Sequence, residues 1–308
     1  FLFLGSIVAA TSSNIYMMIL GRIMQGVGAI AGSVMALIVD NTRETQRAKA
    51  MAIVGSSIGV SFLLAILAGP AIAAFWGLSG IFYVTAFLSI LGITLVFFGI
   101  PGSDKPMPAQ TRLGWDPVLR VTRDARLRHL YFAIFCLHFT LTASFSFVPS
   151  ILESQFNLSR EIHWRLYLPI VLCSILGLFL IINISNKSDL DGKLFVVSLG
   201  TFILSSAGLL LVQNFYTFCI LFLLFFLIFN LFEVALPVSV GKVVAGDDRG
   251  TALGIFATSQ FFGTFLGGFF GGWFSQMDLI AGAGVLIPTI IWFCLQFRLW
   301  LIANTRLS

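Results

Sequence analysis

Charge is scarce in this chain. Asp, Glu, Lys and Arg together make up 10% of its 308 residues, against 58% hydrophobic residues. Soluble domains carry about a quarter charged residues. A surface with so few polar groups cannot be covered for water, so lipid must solvate it. Cysteine is also sparse. Cys136, Cys173, Cys219 and Cys294 all fall inside apolar runs, with no metal-ligand spacing and no disulfide framework. They read as packing thiols. No Ser/His/Asp arrangement, phosphate-cradling loop or metal cluster stands outside the apolar runs, so the residues do not indicate an enzyme, and no cofactor is expected. The net charge of +5 invites a nucleic-acid reading, but the placement of the basic residues argues for membrane topology instead.

Apolar stretches long enough to cross about 30 Å of hydrocarbon recur along the chain. Spans are expected near 15–38, 50–75, 80–100, 129–150, 166–185, 194–212, 215–238, 250–274 and 280–302. The loops at 39–49, 101–128, 186–193 and 239–249 and the C-terminal tail hold nearly all the loop Lys and Arg. The opposite loops hold only Arg160 and Arg165. Positive loops stay inside, so the first set is assigned to the cytoplasm. The segment 101–128, with Pro101, Pro106 and Pro108 and many basic residues, reads as a cytoplasmic linker. It separates 1–100, part of one helical half, from 129–308, a second half of six helices. The apolar stretch 1–10 is too short to span.

Shifting the chain by 202 positions lays Arg47 on Arg249, Ala50 on Ala252, Ser57 on Ser259 and Gly69 on Gly271. Both runs lead from a charged turn into a Gly- and Ser-rich helix, which suggests an internal duplication. Two halves related by an axis along the membrane normal are a known transporter architecture.

Two ionisable residues sit deep in apolar runs. Arg22 lies in Leu20-Gly21-Arg22-Ile23-Met24-Gln25-Gly26, and Glu233 in Phe229-Asn230-Leu231-Phe232-Glu233-Val234. Such a group at the bilayer centre costs about 2.5–3.5 kcal/mol even on the mild insertion scale, so it is expected to face a partner or a polar pathway. Arg22 and Gln25 share a helix face with Ala29 and Ser33; Asn230, Glu233 and Pro237 share another. Desolvation disfavours a charged carboxylate, so Glu233 can exchange a proton at working pH. His138 titrates in that range unaided. The alternatives are structural: a snorkelling Arg22, a core histidine, and a permanently protonated Glu233 bonded to Asn230. Most of the phenylalanines are expected at lipid or in helix interfaces, with Phe139 or Phe226 reaching an amphipathic substrate.

The Arg22 motif resembles that of the fourth helix in proton-driven drug antiporters of the major facilitator superfamily. Gly69-Pro70 resembles the antiporter motif of the fifth helix, although Ala73-Ala74 stands where that motif ends in two glycines. Asp40 and Arg47 occupy the place of a cytoplasmic charge lock, and Gly246-Asp247-Asp248-Arg249-Gly250 is the related turn in the second half. The run from 129 to 273 is similar to the YajR-like branch of that superfamily. The resemblance implies an all-α, polytopic membrane helix bundle of two pseudo-symmetric six-helix halves. On that count about two and a half helices, roughly ninety residues, precede residue 1. It further implies a bacterial inner-membrane secondary transporter, a monomer that exports small amphipathic or cationic compounds. The proton gradient supplies the energy and access alternates between the two sides. Arg22, Gln25, His138, Asn230 and Glu233 would line the proton pathway or central cavity. Asp40, Arg47, Gly69, Pro70 and Arg249 would serve the conformational switch. A proton-coupled metabolite symporter of the same fold and a non-transporting membrane sensor are the competing expectations.

Overall fold

The structure, a computed structural model, describes residues 1–27, 42, 44–99, 115–185, 192–244, 248–275 and 283–305. The described residues form helices and short connections, and they divide into two compact units, Phe1–Gly114 and Trp115–Ser308. Six described helices are long and apolar enough to cross a membrane.

The first unit contains α1 (Leu2–Ala10), α2 (Ile15–Val27) and α3 (Glu44–Gly99). The short apolar stretch at the start is therefore helical. The Asn14 side chain accepts from the Met17 amide at 2.9 Å and so starts α2. Gly5 and Gly21 let α1 and α2 touch backbone to backbone: a Cβ on Gly21 would lie 2.8 Å from the Gly5 carbonyl. The long α3 is two helices joined at Gly77, whose φ of +64° belongs to the left-handed region. The chain turns back there. A Cβ on Gly80 would come within 3.5 Å of the Ile72 carbonyl, although a straight helix would separate the two by more than two turns. This is the break between the spans expected at 50–75 and 80–100. After the turn, Phe82 packs against Ala9 and Ala10 of α1 in a small buried cluster.

The second unit opens with α4 (Trp115–Arg123) and α5 (Ala125–Ser154), followed by α6 (Trp164–Ser185), α7 (Gly192–Leu211), α8 (Phe215–Val243), α9 (Arg249–Phe274) and α10 (Ile287–Thr305). Asp124 caps α5 by accepting from the Arg126 amide at 2.8 Å. Asn214 caps α8 through the amides of Tyr216 and Thr217. Phe218, Phe222, Phe225, Phe229 and Phe232 recur at helical spacing on α8, and each is buried. They form the aromatic spine of this unit, with the fully buried Trp292 of α10 packed against Phe232.

Two seams fix α5. Along one, Gly263, Gly267 and Gly271 of α9 lie against the backbone of Phe135, Phe139 and Ala143. A Cβ at any of the three would collide with main-chain atoms, and only glycine lets the helices come so close. Along the other, α5 meets α10 through polar contacts: His129 to Gln296 at 2.6 Å, the Cys136 thiol to the Pro288 carbonyl at 3.3 Å, and Thr140 to Thr289. Phe139 and Phe226, suggested above as substrate contacts, are 4% and 1% exposed and are packing residues. The thiols divide: Cys136 is buried, whereas Cys173 and Cys294 are exposed on helix surfaces.

Candidate functional site

Glu233 lies in the body of α8, four residues before Pro237. Proline has no N–H, so the helix bond that the Glu233 carbonyl would accept is missing. His138 lies near the middle of α5, and Gln260 sits in α9. The glycine seam brings α9 close enough for the Gln260 side chain to reach both.

The Gln260 Nε2 is 2.8 Å from His138 Nε2 and donates to Glu233 Oε1 at 3.2 Å. The second carboxylate oxygen, Glu233 Oε2, stands 3.6 Å from His138 Nε2, and it is buried with no hydrogen-bond partner. On the far side of the imidazole, Nδ1 is 3.3 Å from the Ile134 carbonyl. The Phe229 and His138 rings meet in a T-shaped contact, with centroids 5.4 Å apart. The His138 side chain is 10% exposed and that of Glu233 is 38% exposed. The Glu233 side chain as a whole is thus more exposed than that of His138, although its Oε2 atom is buried.

The other residues singled out from the sequence fall elsewhere. Asn230 does not bond to Glu233: its amide donates to Ser174 Oγ of α6 at 2.9 Å, and Ser174 in turn donates to the Val171 carbonyl. In the first unit, Arg22 is exposed and donates to Gln25 Oε1 at 2.7 Å. Gln25 is buried and passes the chain on to Ser6 Oγ at 2.8 Å. Arg22 also lies 6.0 Å from the centre of the Phe82 ring. Arg249 donates to the Gly241 and Val244 carbonyls, closing the C-terminal end of α8. A Cβ at Gly69 would meet nothing within 4 Å among the described residues, unlike Gly271, its counterpart in the repeat. Asp40 lies outside the described residues, as do the side chains of Arg47 and Pro70.

Sequence reasoning gave no site role to Gln260, Ser174 or Ser6. A glutamine inside an apolar, glycine-spaced helix is the one signal that could have found Gln260. Ser174 and Ser6 look like any small hydroxyl in a membrane helix. Among the described residues, no three His, Cys, Asp or Glu side chains gather as a metal site would require.

The family profile described as Major Facilitator Superfamily matches residues 1–267. The chain belongs to the Major Facilitator Superfamily. Its all-helical bundle is the fold of that superfamily. Over 286 residues it is 35% identical to the inner membrane transport protein YajR of Escherichia coli K12; the match covers 91% of this chain and 62% of YajR. Over 267 residues it is 34% identical to an uncharacterized transporter of Buchnera aphidicola from Acyrthosiphon pisum, covering 85% of this chain and 68% of that protein. The chain thus spans about three fifths of the length of YajR. A bacterial homolog of the human lysosomal transporter Spinster, in its inward-facing occupied conformation, superimposes with a TM-score of 0.71 at 12% identity, covering 96% of this chain and 81% of that one. The unoccupied inward-facing form gives 0.67. The chain is a multi-pass protein of the bacterial inner membrane.

Proposed function

We propose that this chain is part of a proton-driven exporter of small amphipathic or cationic compounds, working as a monomer by alternating access. The supporting observation is the cluster of His138, Gln260 and Glu233 inside an apolar bundle. Two ionisable groups stand 3.6 Å apart, and one carboxylate oxygen is unbonded. A group kept this way in a membrane helix has a cost that a purely structural role does not offset. The carboxyl alternates between neutral and charged, taking a proton from one side of the membrane and releasing it to the other. A cationic compound leaving the site and a proton entering it can then replace each other at Glu233. The phenylalanine-rich helices favour amphipathic compounds over sugars, which need many hydrogen-bonding partners.

Reconstitution of the intact transporter in proteoliposomes tests this. An imposed proton gradient is expected to drive ethidium, a lipophilic cation, against the direction of proton flow. Glu233→Gln, which is neutral in all states, is expected to abolish the coupled movement while leaving the protein folded. Coupled flux that survives Glu233→Gln would remove this residue from the mechanism. Cargo moving with the protons would make the protein a symporter, and ethidium binding without any flux would make it a sensor.

A further inference from the structure

The geometry points to Gln260 as the positioning residue of the proton site: its amide reads the protonation of His138 and hands the result to Glu233. This rests on the proton-coupled reading above and assigns a part of its machinery.

The hydrogen-bond roles follow from what each atom can do. A backbone carbonyl only accepts, so the Nδ1 facing the Ile134 carbonyl at 3.3 Å carries a hydrogen. A neutral imidazole then has a bare lone pair at Nε2. The Gln260 amide nitrogen, 2.8 Å away, donates one N–H to it. Its second N–H goes to Glu233 Oε1 at 3.2 Å. Both hydrogens of one amide are thus used, on groups from two other helices. The arrangement fits a neutral histidine.

Placing a proton on His138 destroys that fit, because Nε2–H and the Gln260 N–H would then face each other as two donors. The conflict has two exits. The Gln260 amide can turn over, presenting its oxygen to the imidazolium and withdrawing its N–H from Glu233. Alternatively, the imidazolium can swing to Glu233 Oε2, now 3.6 Å away and unbonded, and release Gln260. Either way a bond between α9 and the pair α5–α8 is lost or remade when the proton arrives. No covalent bond changes other than the transfer of that proton.

The charged surroundings leave this reading intact. Glu233 is the charged group of α8 that faces His138, and α9 faces it with neutral Gln260. The other charged side chains on the helices packed against α5 sit toward helix ends, Arg126, Arg128 and Glu153 on α5, Lys193 on α7, Lys242 on α8 and Arg249 on α9, except Arg298 near the middle of α10, two residues past the Gln296 that meets His129 near the start of α5. On α4, Asp116, Arg120 and Arg123 precede the α5 cap. His129, two turns before His138, is engaged with Gln296, and Tyr131 lies between the two.

The test uses the intact transporter in lipid with 15N-labelled histidine. At a pH where His138 is neutral, the wild type is expected to show the Nδ1–H form with a bare Nε2. The Nε2–H form would overturn the proposal with no variant needed. Gln260→Leu, which cannot donate, is expected to give a mixture of the two forms. Gln260→Glu puts an acceptor against Nε2 and is expected to move the midpoint of the transport pH profile upward by about one unit, the effect of a nearby opposite charge. An unmoved midpoint in Gln260→Glu, with the wild-type tautomer retained in Gln260→Leu, would refute the positioning role. Absence of proton-coupled flux in the wild type itself would instead count against the proposed function, and the tautomer would still report on Gln260.

Discussion

At the scale of single residues, a buried oxygen without a partner sets Glu233 apart from Asn230. Asn230 and Glu233 sit one helical turn apart on α8 and read alike in the sequence, yet they do different work. The Asn230 amide is satisfied by Ser174 at 2.9 Å, an ordinary bond between two membrane helices. Such bonds contribute about 0.6 kcal/mol on average. Asn230→Ala and Ser174→Ala are each expected to lower thermal stability by about that much, and the double variant by no more than either single one. Melting of the four proteins in one detergent is the measurement; fully additive losses would mean that the bond is not formed. Glu233 stood out in the sequence because a carboxylate in an apolar run has no cheap explanation, and His138 because a titratable ring in such a run is rare. Gln260 was hidden for the opposite reason. Amides are tolerated in membrane helices, and only the folded geometry shows this one between two ionisable groups.

At the scale of helices, small side chains set the distances. The spans were legible because twenty apolar residues in a row have one stable answer in lipid. The glycine spacing on α9 was visible too, but its partner was not, since a pattern on one helix does not name the helix it meets. The structure names α5. Gly267→Ala is expected to push α9 off the Phe139 backbone at a cost of about 1–3 kcal/mol, the usual range for overpacking. Gly272→Ala on the same helix, where a Cβ would meet nothing within 4 Å, is expected to be neutral to slightly stabilising. Size-exclusion profiles and melting temperatures compare the two; equal behaviour would show that the seam does not hold the helices. The turn at Gly77 was anticipated as a gap between two spans, but its left-handed conformation could not be read from the residue order.

At the scale of the whole molecule, α4 buries Val121 and meets the start of α9 through an exposed ion pair. Arg120 meets Asp248 at 2.8 and 3.0 Å, a two-pronged contact between α4 and the start of α9. The Arg120 hydrogen bond holds the Asp248 carboxyl below the usual carboxylate range. A depressed carboxyl gives its support above its unfolded value, about 3.9, and loses it as pH falls through the lower folded one. Protection of the 115–123 amides, corrected for the intrinsic pH dependence of exchange, is therefore expected to be constant near neutrality, to fall in acid below about pH 4, and to be modestly lower than wild type at neutral pH in Asp248→Asn, as hydrogen exchange would measure. Salt should weaken the contact, since both partners meet water. The two seams of α5 have a larger consequence. With glycine contacts on one flank and the bonds to Gln296, Pro288 and Thr289 on the other, this helix cannot roll without shearing both neighbours. Any rearrangement that moves the cluster of His138, Gln260 and Glu233 has to carry α5, α9 and α10 as one slab. Spin labels placed on those three helices should keep a constant spacing throughout the work cycle, like marks on a single plank.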